Sequence, residues 1–165
     1  MYKNLKYLIK YSAVILVILL LVRICFAVAF VPMSVISSNL AVFPRLLFNL
    51  LRFDVQVICY VLLLPTVLTF IFAVLRKPWT DHVLSRFRLI YFSIVSVLLL
   101  IISGIDMGFY ANFNSHINLT FFDFFNEGPM SLIQTVWEEY HCVYEAIAFL
   151  LITLPVLLLI RKIEL

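Results

Sequence analysis

The chain has 165 residues, of which 65% are hydrophobic and only 13% charged, against about 45–50% and about 25% in ordinary globular domains. A soluble fold could not hide that much apolar surface. Three glycines and abundant Leu, Ile, Val and Phe argue against disorder and fibrous repeats, and a net charge of +3 is too small to imply nucleic acid as a partner.

Lys3, Lys6 and Lys10 precede an apolar stretch from Tyr11 to Val31 that only Arg23 interrupts. At 1.5 Å per residue it covers about 30 Å, the thickness of a bilayer core. A signal peptide has a shorter core of about 7–15 residues, so an uncleaved first span is predicted over about 11–31. Pro32 to Asn39 reads as a loop. Arg45, Asn49, Arg52 and Gln56 then recur at i, i+4, i+7 and i+11, one polar stripe on a helix whose other faces are Leu and Phe. That spacing predicts an interfacial helix over about 43–53, with Asp54 on the opposite side and turned toward protein. The second span is predicted over about 55–75, kinked at Pro65 and closed by Arg76-Lys77-Pro78-Trp79. Asp81 to Arg88 reads as a polar connection, and the third span covers about 89–106.

The stretch from Val97 to Asn126 organises the rest. A span surfaces at Asp106 and hands over to an aromatic segment, Phe109-Tyr110, Phe113 and then Phe121 to Phe125, along the water boundary. After Gly128-Pro129, Leu132, Ile133, Val136, Trp137 and Tyr140 line one face of a second amphipathic piece, so interfacial structure is expected over about 118–140. A fourth span, about 143–160, contains Pro155. Nine of the twelve basic residues collect on one side: Lys3, Lys6, Lys10, Arg76, Lys77, Arg86, Arg88, Arg161 and Lys162. Basic residues stay cytoplasmic, so both termini are predicted inside. The expected architecture is an all-α integral membrane bundle of four spans with outer amphipathic helices, one domain over residues 1–165.

Within that frame Arg23, Asp54, Asp106 and Glu145 form a candidate polar cluster in the outer leaflet or at its edge. Charges at such depth are costly and usually pair. A structural ion pair of Arg23 with Asp106 or Asp54 is one reading. A pocket for a lipid headgroup or lipid-linked substrate is another, and a proton or ion relay a third. Arg45 and Arg52 run against the prevailing charge bias and are candidate contacts for anionic lipid, guanidinium forks being suited to phosphate oxygens; snorkelling alone would also explain them. Cys25, Cys59 and Cys142 have no metal-ligand or disulfide spacing and read as small buried hydrophobes. His82 is predicted cytoplasmic while His116 and His141 are outer, which separates them from any common metal site. No nucleophile motif and no phosphate-cradling Gly loop occurs.

Several local patterns occur together: Leu21-Val22-Arg23-Ile24 in span one, Leu51-Arg52-Phe53-Asp54 before an aliphatic span with Leu62-Leu63-Leu64-Pro65, and Ile105-Asp106 followed by Phe109-Tyr110, Phe113 and Ile117-Asn118. In these the chain resembles the N-terminal membrane domain of the lipoteichoic acid synthase-like proteins of bacteria. Those are phosphoglycerol or related phospho-group transferases of the alkaline phosphatase and sulfatase superfamily. The resemblance implies residence in the bacterial cytoplasmic membrane. It also implies a fifth span and an extracytoplasmic catalytic domain with a Thr nucleophile and a divalent metal. Neither follows span four in this sequence, so no catalytic, cofactor-binding or metal residue carries over. The expectation is a truncated or split form, or the membrane part of a longer protein, whose chain alone does not catalyse the reaction.

Two functions of different class follow. One is the membrane anchor that orients a separate or missing catalytic domain. The other is an autonomous small membrane protein that binds lipid or a protein partner through its outer surface. A transporter or channel component is the third and weakest, since four spans offer few polar residues.

Overall fold

The computed structural model describes residues 2–39, 41–75, 79–118 and 142–164. They form five helices: α1 Tyr2–Phe30, α2 Met33–Ser38, α3 Phe43–Leu75, α4 Thr80–Phe113 and α5 Cys142–Glu164. Among the described residues no strand occurs. Three helices are long and apolar enough to cross a membrane: Asn4–Phe30, Phe43–Leu75 and Thr80–Phe113. The expected interfacial segment beyond Asn118, the aromatic run Phe121 to Phe125, and Arg76, Lys77 and His141 lie outside the described residues, as does the side chain of Glu145.

Several boundaries differ from those expected. Pro32 to Asn39 is not a plain loop: Pro32 stands in extended backbone as the N-cap of α2, and Asn39 ends that helix. Pro suits a helix start because the missing N–H would have had no partner there. The segments 43–53 and 55–75 are one unbroken helix of 33 residues, since nothing between Arg45 and Leu64 is Gly or Pro. The polar stretch 81–88 is helical and belongs to α4, whose 34 residues run past Asp106 to Phe113. Cys25 and Cys59 are exposed rather than buried. A small apolar thiol needs no protein cover where the surrounding solvent is itself apolar.

Two compact units divide the chain: Met1–Leu98 with Val156–Leu165, and Leu99–Pro155. In the first, α3 packs against α1. The twelve residues that join α1 to α3 turn the chain back, so the two helices are antiparallel. The buried stripe of α1 is Leu8, Tyr11, Ile15 and Ile18, at helical spacing. Its centre is Tyr11, whose ring stacks on Phe92 of α4 with centroids 4.1 Å apart.

Pro65 sits inside α3. It has no N–H for the carbonyl of Val61, four residues back, and an orphaned carbonyl in a span is costly. Tyr91 of α4 supplies the missing donor, its hydroxyl reaching the Val61 oxygen at 2.8 Å. The proline is thereby tolerated and α4 is tied to α3. Tyr91→Phe is expected to destabilise the bundle by about 1–3 kcal/mol, the cost of a buried acceptor left without its donor, read as a lower melting temperature in detergent micelles.

In the second unit α4 ends after Phe113. Asn114 adopts the left-handed conformation at φ 51°, and its N–H reaches the Tyr110 oxygen at 2.9 Å. Asn is one of the few side chains that accepts this geometry, and it terminates the helix there.

Candidate functional site

Arg23 and Asp54 meet. Arg23 lies two turns before the end of α1 and Asp54 in the fourth turn of α3, so the antiparallel packing of these helices brings them level. Nε donates to both carboxylate oxygens at 3.1 Å, and Nη2 donates to Oδ1 at 2.6 Å. Asp54 is 1% exposed, facing protein as its position off the polar stripe requires. The Arg23 side chain remains 36% exposed. Both carboxylate oxygens are therefore satisfied in a place where water cannot satisfy them.

Asp106 does not share in that pair. Its Oδ2 lies 2.8 Å from Nδ1 of His116, and its Oδ1 accepts the backbone N–H of Ile117 at 2.9 Å. The chain leaving α4 is thus pinned back to a residue two turns inside the helix. Asp106→Ala is expected to release this turn: the Ile117 amide loses its acceptor, and its hydrogen exchange should accelerate at least about tenfold, the equivalent of a net hydrogen bond of about 1.4 kcal/mol.

Arg45 and Arg52 are exposed, as are Asn49 and Gln56 on the same stripe. Among the described residues neither arginine has an acidic partner. Gln56 donates to the Tyr60 hydroxyl at 3.3 Å. The stripe is a row of available donors beside exposed Leu46, Leu47, Phe48 and Leu51.

The most elaborate polar cluster was not expected. Arg88 reads in the sequence as part of a connection and Glu164 as part of a tail, yet their side chains are 2% and 5% exposed. Arg88 Nε donates to Oε1 of Glu164 at 2.7 Å and Nη2 to Oε2 at 3.1 Å. Ser85 donates to Oε2 at 2.7 Å and the Tyr11 hydroxyl to Oε1 at 3.0 Å. Arg88 Nη1 reaches the Asn4 amide oxygen at 3.2 Å, and its guanidinium lies over the Tyr7 ring. Burial pushes the Glu164 carboxyl up, but the Arg88 and Ser85 hydrogen bonds, the Arg88 charge and the Tyr11 hydroxyl outweigh it and hold the group below its usual range. The first residues of α1, the first turns of α4 and the last turn of α5 are locked together by this one carboxylate. Its only traces in the sequence are that Arg88 follows buried Leu84 by one turn and that Glu164 is the lone acid after Arg161-Lys162.

Among the described residues no three His, Cys, Asp or Glu side chains gather as a metal site would require. No family model, no curated protein and no solved structure matches the chain.

Proposed function

We propose that the chain is a four-span domain that anchors and orients an extracytoplasmic catalytic domain of the lipoteichoic acid synthase-like phosphoglycerol transferases, in the bacterial cytoplasmic membrane with both ends inside. The observation that carries this reading is the Arg23–Asp54 pair. Arg23 and Asp54 belong to two separate patterns of the resemblance, one on each helix, and their pairing supports reading those patterns as one constellation. Val143 to Ile160 of α5 is the fourth span. In its favour, the last turn of α5 lies beside α1 through the hydrogen bond of Tyr11 to Glu164, as an even number of crossings requires. Arg45 and Arg52 then sit on the outer side, where their unpaired guanidinium groups take anionic lipid phosphates. The outer amphipathic segments, 43–53 and 118–140, form the platform on which the catalytic domain rests.

The coding sequence that follows codon 165 tests the function. An in-frame or adjoining reading frame with sulfatase-type metal ligands supports it. An unrelated neighbour favours the autonomous lipid-binding protein, which the exposed Arg45 and Arg52 would equally serve. Topology is tested by reporter fusions: reporters at Asn114 and Leu165 should report opposite compartments, and the same compartment at both would end the four-span arrangement.

A further inference from the structure

The guanidinium of Arg23 has two edges, and the ion pair uses one. Nε and one N–H of Nη2 are spent on Asp54, whereas Nη1 makes no hydrogen bond among the described residues, which leaves the edge formed by Nη1 and the second Nη2 N–H. Asp54 is buried while 36% of the Arg23 side chain stays exposed, and its chain neighbour Ile24 is exposed too. An apolar surface around an ionised group with unspent N–H donors is unstable unless an acceptor comes from the bilayer itself. Depth says which acceptor. From Asp54 to Leu75, the end of α3, the helix rises about 32 Å, one hydrocarbon thickness. With the Leu75 end at one boundary, the pair lies at the other, at the level of the lipid phosphates.

We propose that the free edge of Arg23 binds the phosphodiester of a membrane lipid, with Asp54 as the positioning residue behind it. A planar fork fits two phosphate oxygens, and the carboxylate holds its plane fixed. Asp54 also cancels the charge of Arg23, so the site selects by phosphate geometry rather than by headgroup charge. Arg45 and Arg52, whose charges are not cancelled, would instead favour anionic lipid. This site requires only that α1 and α3 cross a bilayer and does not rest on the transferase reading.

The test uses the full chain, delipidated in micelles, with bound lipid read by native mass spectrometry. The probes are phosphatidylglycerol, phosphatidylethanolamine and phosphate-free diacylglycerol. In an Arg45→Gln, Arg52→Gln background the two phospholipids should bind within about threefold of each other, since the remaining site is neutral overall. Diacylglycerol should not be retained. Arg23→Lys keeps an ion pair with Asp54 but has no second edge, and should weaken both phospholipids by about tenfold or more at a similar melting temperature. If that variant does not fold, the neutral pair Arg23→Gln, Asp54→Asn is measured in its place, with the same loss expected. Unchanged phospholipid binding in the variant that folds, equal retention of diacylglycerol, or a strong preference for phosphatidylglycerol in the background variant would each overturn the proposal.

Discussion

Replacing Arg88 with alanine is expected to cost about 3–5 kcal/mol of stability, the usual penalty for removing one partner of a buried ion pair. The loss comes less from the missing attraction than from what is left behind. Glu164 would keep its burial and lose the two hydrogen bonds and the charge of Arg88, so the carboxylate must be solvated by opening the helix ends or must take up a proton. Unfolding in micelles, followed by circular dichroism against sodium dodecyl sulfate or temperature, measures it. The double variant Arg88→Met, Glu164→Leu should recover most of the loss, because neither charge is then stranded. A double variant as unstable as Arg88→Ala alone would mean that the clamp is irreplaceable in shape, not in charge.

The same clamp predicts an acid dependence of definite sign. Glu164 titrates below its ordinary value of 4.5 in the folded chain. Its contribution is therefore fully present above pH 4.5 and is lost as pH falls from there through the lowered folded value. Glu164→Gln should flatten that acid limb of the melting profile, and a limb unchanged by the substitution would assign it to other carboxylates.

The two clusters differ in how far they could be foreseen. Arg23 is the only charge within the first apolar stretch, so it had to find an acid, and sequence narrowed the choice to Asp54 or Asp106. It could not choose between them, because both acids lie near span ends and the choice depends on which helix packs against α1. Glu164 is a different matter. It stands 76 residues from Arg88, both acid and base sit among charges that look like ordinary cytoplasmic flanks, and polarity does not distinguish a clasped carboxylate from a solvated one. Packing faces were equally hidden. Leu8, Ile15 and Ile18 are buried while Ile9, Val17 and Ile24 on the same helix are exposed. In a helix that is apolar all round, hydropathy holds no preference for either face, and shape decides. Long helices were underestimated for a related reason. Span-length arguments count only hydrocarbon, whereas α3 and α4 run on through their polar ends, where no Gly or Pro breaks them.

Arg23→Ala and Asp54→Asn should not be equivalent, and the difference distinguishes a buried charge from a snorkelling one. Removing Arg23 strands a carboxylate that is 1% exposed and whose hydrogen bonds among the described residues all come from Arg23. A loss of about 3–5 kcal/mol is expected. Removing the charge of Asp54 instead leaves an arginine that is 36% exposed and already near the boundary, where its head can be solvated. The new Asn oxygen can still accept one N–H, so a smaller loss of about 1–2 kcal/mol is expected. Both are measured by the same micelle unfolding assay. Equal losses in the two variants would mean that Asp54 is reached by water in the folded chain. The deep end of α1 would then have to be a hydrated cleft rather than a lipid-sealed contact.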